Sequence, residues 1–292
     1  MHPRLFEIPF GSSPTVSTYG LLVAVGIMLG IGLGYRQARR LGIRPDDYLD
    51  LSLFGIVAAL LGSRLMFVLT NRDRFAAQPW RALYLWEGGL VFYGGVVAAL
   101  LTGLYFTWRR GLPYLRTADV YAPVLSLGHA FGRMGCHFAG CCWGKACAGS
   151  GGVQFPAESL AYEEMVGRGE AVDAVARTTL PLFPVQLFEA GGELLIFGLL
   201  MWRSAGKRFD GAVICTYLFL YGLLRLVTEL FRGDAARRFL VEWQTPGLAR
   251  ALGLPPGEPL FLSTSQFVAL LMVAGAAAGY VYLARRAARS TP

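Results

Sequence analysis

Hydrophobic and polar positions along the chain separate into long apolar stretches divided by short polar ones. A helix that crosses a bilayer needs roughly 20 mostly apolar residues. Seven stretches meet that need, at 18–37, 48–70, 88–108, 117–136, 184–203, 211–231 and 264–284. The fourth is the least apolar. With Asp119, Pro123, His129 and Arg133 inside it, it is expected to be broken or half-buried among its neighbours. Gly26, Gly30, Gly32, Gly34, Gly94 and Gly95 suit close helix packing. One inter-helix segment, 137–183, is long. It holds Gly149-Ser150-Gly151-Gly152 and an acidic patch of Glu158, Glu163 and Glu164, and a short surface helix is expected over 156–168. Long loops of this kind are usually functional. The pattern predicts an all-α fold: a polytopic membrane helical bundle of about seven transmembrane helices, forming one integral membrane domain over 1–292.

Composition agrees. Of 292 residues, 54% are hydrophobic and 16% charged, against about a quarter charged in soluble domains, and the mean hydropathy is +0.47. Lys and Arg number 27 against 19 Asp and Glu, nearly all the cations being arginine. They lie in short clusters between apolar stretches, which fits loops facing anionic lipid and not a nucleic-acid face. Arg36, Arg39, Arg40 and Arg44 follow the first stretch; Arg109, Arg110 and Arg116 the third; Arg203, Lys207 and Arg208 the fifth; Arg285, Arg286 and Arg289 the seventh. These alternate loops share one side, and the positive-inside rule makes it the cytoplasm. In a bacterial inner membrane the N-terminus is then periplasmic and the C-terminus cytoplasmic. The loops at 71–87, 137–183 and 232–263 are periplasmic, with Arg72, Arg74, Arg81, Arg237 and Arg238 softening the bias. Residues 1–10 show no cleavable signal design.

An arginine at a helix centre costs about 2.5–3.5 kcal/mol on insertion scales, so it needs a partner, water or a ligand. Arg64, Arg133 and Arg225 are such residues. In the sixth stretch Tyr221, Arg225, Glu229 and Arg232 recur at helical spacing and share a face. An internal Arg225–Glu229 pair is the plainer reading. Several arginines with few intramembrane acids to meet them favour an anionic ligand, and the planar guanidinium fork suits phosphate. Gln186 and Glu189 lie one turn apart, and the glycines around Tyr93 in Trp86–Gly95 let backbone approach another helix or a ligand. Cys136, Cys141, Cys142 and Cys147 follow C-x4-C-C-x4-C. On an oxidising side this spacing predicts one or two disulfides bracing the loop, though not between adjacent Cys141 and Cys142. Zinc is the weaker reading without C-x2-C spacing, and a redox or nucleophilic thiol stays open. Cys215 reads as a small core residue.

Together these segments resemble the prolipoprotein diacylglyceryl transferase family. Its hallmark, Gly-Arg-x-Gly-Asn-Phe-x-Asn-x-Glu-x-x-Gly, aligns with Gly132 to Gly144: Gly132, Arg133, Gly135 and Gly144 match, whereas Cys136, His137, Ala139 and Cys141 replace Asn, Phe, Asn and Glu. Tyr19-Gly20, Gly62-Ser63-Arg64, Gly88–Gly95, Phe183–Glu189, Tyr221–Arg232 and Leu262–Gln266 continue the likeness in order, the Tyr221 segment being intact. The resemblance implies a seven-span inner-membrane enzyme. Such an enzyme moves diacylglyceryl from phosphatidylglycerol, or a related anionic lipid, to the lipobox cysteine of a lipoprotein precursor. A thioether forms and glycerol phosphate leaves. It further implies that Arg133 and Arg225 hold the phosphoryl group and that Tyr221 contacts the glycerol or orients the thiol. Tyr93 stands where the family has a histidine, and Tyr19, Arg64, Gln186, Glu189, Glu229 and Arg232 complete the substrate site. No metal or cofactor is implied. A tyrosine, with pKa near 10, is a poor base, so His129 and His137 are candidate substitutes. Other readings on the same scaffold are a paralogue with another acceptor, a membrane thiol-redox protein, or a non-catalytic lipid-binding protein.

Overall fold

The computed structural model describes residues 4–7, 15–76, 78–84, 88–147, 151–170, 172–173, 175–234, 239–243, 245–254 and 260–290. Trp86, Glu87, Gly149, Ser150, Arg237 and Arg238 lie outside them. In chain order the described elements are strands β1 (Arg4–Glu7) and β2 (Thr15–Ser17); helices α1 (Thr18–Arg40), α2 (Pro45–Thr70), α3 (Arg72–Ala76), α4 (Phe92–Arg110), α5 (Tyr114–Ala139) and α6 (Leu160–Gly167); strands β3 (Val172–Asp173) and β4 (Thr178–Thr179); helices α7 (Val185–Ala205) and α8 (Ala212–Phe231); strand β5 (Phe239–Trp243); helix α9 (Pro246–Ala251); strand β6 (Phe261–Ser263); and helix α10 (Thr264–Ser290). The strands form three antiparallel pairs, β1–β2, β3–β4 and β5–β6. The protein is an all-α polytopic membrane protein. Among the described residues, five helices, α1, α2, α7, α8 and α10, are long and apolar enough to cross a membrane. Helices α4 and α5 occupy the third and fourth expected stretches. The fourth is unbroken, running through Pro123, as membrane helices tolerate when neighbours serve the freed carbonyl.

The chain groups into two compact units, Ile31–Val120 and Met1–Gly30 with Tyr121–Pro292. In the first, α2 and α4 form an antiparallel pair. Pro45 opens α2 with Asp46 and Asp47 in its first turn, and Arg109 and Arg110 close α4 before Gly111, whose φ of 64° caps the helix. Arg110 spans the pair's end, at 3.0 Å from Asp47 and 3.1 Å from Asp50. Midway, a Cβ on Gly62 or Gly94 would collide with the other's carbonyl oxygen, so the backbones touch where neither has a side chain. Leu53, Phe54, Leu61 and Leu65 of α2 are exposed, as a lipid-facing surface requires.

In the second unit, Ser17 caps α1 by accepting from Gly20 N (3.1 Å). Helices α7 and α8 pack around Ala122, Ile196, Leu200, Val213 and Tyr217. Helix α10 starts with a reciprocal cap: Gln266 N donates to Ser263 Oγ (3.1 Å), and Ser263 N donates to Gln266 Oε1 (3.0 Å). The Ser-x-x-Gln of the sequence is therefore a helix start. The 137–183 segment folds on its own small core of Trp143, Phe155, Ala161, Met165 and Leu182. The short helix expected within it is α6, capped by Ser159, whose Oγ accepts from Tyr162 N. Lys145 N donates to Phe231 O (2.7 Å) and Gly233 N to Trp143 O (3.1 Å), tying this cap to the end of α8.

Candidate active site

Three helices of the second unit each carry a polar stripe at spacings of three and four: Ser126, His129, Arg133 and Cys136 on α5; Gln186, Glu189 and Glu193 on α7; Tyr217, Tyr221, Arg225 and Glu229 on α8. They converge on Glu189, which is 1% exposed. Its Oε1 lies 3.1 Å from Arg133 Nη2, 3.6 Å from Arg225 Nη1 and 3.8 Å from His129 Nε2. These are ion-pair distances without hydrogen-bond alignment: among the described residues, Glu189 Oε1 and Arg225 Nη1 have no hydrogen-bond partner. Arg225 is held by Glu229 (2.6 Å, one turn on) and Ser265 Oγ (3.2 Å). A buried guanidinium nitrogen with an unused donor is prepared for an acceptor atom that is not part of the protein.

His129 links Glu193 and Arg133 within the cluster. Its Nδ1 lies 2.8 Å from Glu193 Oε1, and its Nε2 accepts from Arg133 Nε at 3.1 Å. Accepting at Nε2 requires the lone pair there and puts the proton on Nδ1, toward Glu193. Ser126 Oγ, 2.7 Å from Glu193 Oε2, holds the other side of that carboxylate. The Tyr221 ring lies 5.2 Å from the imidazole and 5.9 Å from Tyr217, on which it stacks. Glu193 was missed in the sequence, although it sits one turn beyond Glu189 on the same face. With it, three buried carboxylates face two guanidiniums, which corrects the expectation of too few intramembrane acids.

The remaining candidates divide by unit. Tyr19, at the start of α1, covers Gly135, where a Cβ would lie 2.9 Å from the Tyr19 ring. Gln186 donates to Cys141 O (2.8 Å), linking α7 to the turn after α5. Arg232 makes a two-pronged pair with Asp234, at 2.8 and 2.6 Å. His137 packs its ring against Phe138 and Phe155 and is not part of the Glu189 cluster. In the first unit, Arg64 is placed otherwise than a lipid ligand would be. Its guanidinium donates to the carbonyls of Arg81, Ala82, Gly88 and Gly89 and lies over Phe67 and Phe75. Gly88 and Gly89, with φ of 74° and 73°, make the turn that presents the last two of these carbonyls. Gly94 and Gly95 serve the α2 crossing. Tyr93 is 56% exposed on the first turn of α4, its ring edge-on to Phe92.

The disulfide expectation finds no support: no disulfide links cysteines among the described residues. Cys136 ends α5's polar stripe, and Gly140 (φ 71°) and Cys142 (φ 55°) bend the next turn back over it. The sulfurs of Cys136, Cys141 and Cys142 consequently cluster within 4.8 Å of one another, as three thiols and not as a bonded pair. Cys142 falls below the ordinary thiol range, through hydrogen bonds with Cys136 and Cys141 and the nearby Arg232 and Arg133 charges; Cys141 is pushed above it.

A family model described as prolipoprotein diacylglyceryl transferase matches residues 3–282. Among curated proteins, the chain is similar to phosphatidylglycerol–prolipoprotein diacylglyceryl transferases of Roseobacter denitrificans (32% identical, covering 90% of this chain and 91% of the relative), Bordetella bronchiseptica (30%, 99% and 99%) and Clostridium tetani (26%, 94% and 94%). With a match over nearly its whole length, and with the arginine segments that the match spans gathered round one buried glutamate, the chain belongs to the prolipoprotein diacylglyceryl transferase family.

Proposed function

We propose that this protein transfers diacylglyceryl from phosphatidylglycerol to the lipobox cysteine of a lipoprotein precursor, in a bacterial inner membrane, with its N-terminus periplasmic and its C-terminus cytoplasmic. The observation that carries the reading is the Glu189-centred cluster, in which Arg225 Nη1 is buried with its donor unused. Two guanidiniums on neighbouring helices match the oxygens of a phosphodiester. The names and close length agreement of the relatives support the substrate pair.

In the reaction, Arg133 and Arg225 hold the phosphoryl group. As Arg133 turns to the phosphate it releases His129 Nε2, which then takes the proton of the acceptor thiol. The sulfur forms a bond to the glyceryl carbon, the carbon–oxygen bond to phosphate breaks, and glycerol phosphate leaves with the electron pair, its charge met by the two guanidiniums. Glu193 and Ser126 hold the imidazole through Nδ1; Tyr221 walls the ring and faces the glycerol. His129 thus supplies the base in a chain that carries Tyr93 where the family has a histidine. Arg64 contributes by holding the carbonyls of Arg81, Ala82, Gly88 and Gly89, and Arg232 with Asp234 by anchoring the end of α8.

The test is direct. Purified protein is incubated with labelled phosphatidylglycerol and a lipobox peptide, with an orthodox family member in parallel. Thioether-linked label on the cysteine peptide and none on its serine analogue is expected. No transfer, with the parallel enzyme active, refutes the reading.

A further inference from the structure

Cys136 ends the α5 stripe that leads to Glu189, and the proposed reaction makes no use of the cysteine run. Cys136, on the last turns of α5, and Cys141 and Cys142, on the following turn, place three Sγ atoms within 4.8 Å of one another. A metal bound at about 2.3 Å by three thiolates sets sulfurs about 3.8 Å apart, so small side-chain rotations close this triangle on an ion. A disulfide needs two sulfurs at about 2.0 Å and leaves the third unused. Cys142 adopts a φ of 55°, uncommon for a residue with a side chain. That conformation directs its sulfur into the triangle. Gly140, at φ 71°, makes the preceding bend, and a Cβ there would strike Ser159.

The surroundings suit a cation held by thiolates. A cavity of about 550 Å³ opens beside the cluster, lined by Cys141, Cys142, Leu160, Glu163, Glu164 and Asp234. The three carboxylates draw a cation toward the sulfurs. Arg133, one turn before Cys136, and Arg232, held by Asp234, offset the net negative charge of a trithiolate complex. Thiolate ligands select soft and borderline d10 ions over calcium or magnesium.

We propose that Cys136, Cys141 and Cys142 bind one Zn2+ ion as a three-thiolate site whose fourth coordination position faces this cavity and takes an exogenous thiol. Coordination releases the thiol protons and involves no change of oxidation state. The ion pins the turn after α5, whose Cys141 carbonyl is bonded to Gln186 on α7, and it protects three neighbouring thiols from oxidation. The inference does not depend on the transferase reading.

The test uses the full-length protein, purified in detergent under reducing conditions, loaded with Zn2+ alone and desalted. One zinc per chain is expected, falling at least tenfold in Cys141→Ser and in the Cys136→Ala/Cys142→Ala double variant, and unchanged in Cys147→Ser. Co2+ in place of zinc should give a sulfur-to-cobalt charge-transfer band in wild type and Cys147→Ser. A cysteine peptide should shift that band and its serine analogue should not. Should the cysteine variants fail to fold, thiol alkylation of the folded wild type must release the metal. Zinc retained after alkylation, no zinc above that of the double variant, or two thiols missing from the titration of freshly purified protein overturns the site. An unshifted cobalt band overturns the open position. Zinc binding without lipid transfer would count against the transferase reading alone, and transfer by metal-free protein that takes up no zinc would count against the site alone.

Discussion

Arg133→Lys separates the geometry of the arginine from its charge. Arg133 reaches two groups at once, with Nη2 3.1 Å from Glu189 Oε1 and Nε donating to His129 Nε2 at 3.1 Å. Those atoms sit on different helices, and one ammonium on a flexible stem cannot serve both directions that the planar fork spans. Lysine keeps the positive charge, so the pairing with Glu189 survives in the cheaper of the two arrangements. What is lost is the second prong of the fork, a charged donor that in the proposed reaction passes from His129 Nε2 to a phosphate oxygen, worth about 1.5–3 kcal/mol. If that alignment is used in the transition state, the loss appears as about a ten- to 150-fold fall in kcat/KM. The assay is transfer of labelled diacylglyceryl to a lipobox peptide, with thermal unfolding in detergent confirming that the variant is folded. A folded Arg133→Lys protein with kcat/KM within about twofold of wild type would falsify the two-direction role and reduce Arg133 to a point charge.

Glu193→Gln keeps a hydrogen-bond acceptor for His129 but removes the charge that supports a protonated ring; kcat should fall about 100-fold or more, with phosphatidylglycerol affinity, read by lipid titration, unchanged. Arg64→Met strips the carbonyls of residues 81, 82, 88 and 89 of their donor. At about 1–3 kcal/mol for each carbonyl left dry, it should lower the unfolding temperature, while lipid affinity stays near wild type; the reverse pattern would return Arg64 to the lipid site. Gly94→Val places a side chain against the Gly62 carbonyl and should cost about 1–3 kcal/mol or more by overpacking, seen as reduced accumulation in membranes, while Gly103→Val, facing open space, should not.

The long helices were legible because a membrane demands about 20 apolar residues per crossing: a helix occupies most of each expected stretch, and among the described residues five are long and apolar enough to cross. The α8 stripe was legible for a related reason: polar residues at spacing four in an apolar helix have one face to share. Glu193 escaped because its partner lies 64 positions away, at His129, and no local spacing announces that pairing. Arg64 is hard to place from sequence for the opposite reason. Insertion cost says that a buried arginine needs acceptors, and it cannot distinguish a phosphate from four backbone carbonyls, two of them on a glycine turn. The cysteines were misread because C-x4-C spacing is neutral between a disulfide and a cluster. Two left-handed residues, Gly140 and Cys142, decide it, and the sequence marks only the glycine as suited to that conformation.

The proposed phosphodiester site, with two guanidiniums and three carboxylates, looks contradictory, since the acids outnumber the bases before any anion arrives. The arrangement of the charges resolves this. Arg133 and Arg225, left alone, would repel each other in a low-dielectric interior, and each would pay full desolvation. Glu189 between them, at 3.1 and 3.6 Å, holds both cations in place without saturating them, because its contacts are not aligned as hydrogen bonds. The donors therefore remain available to oxygens that approach from the open side. The surplus charge resides on Glu193, which is bonded to the imidazole and separated from the phosphate-facing nitrogens. In the proposed reaction, one proton taken up by His129 from the acceptor thiol cancels that surplus in the same step in which the leaving phosphate gains charge. A neutral or cationic cluster would bind the lipid more tightly in the ground state and gain nothing as the thiol ionises. The acidic surplus places the stabilisation in the step that needs it.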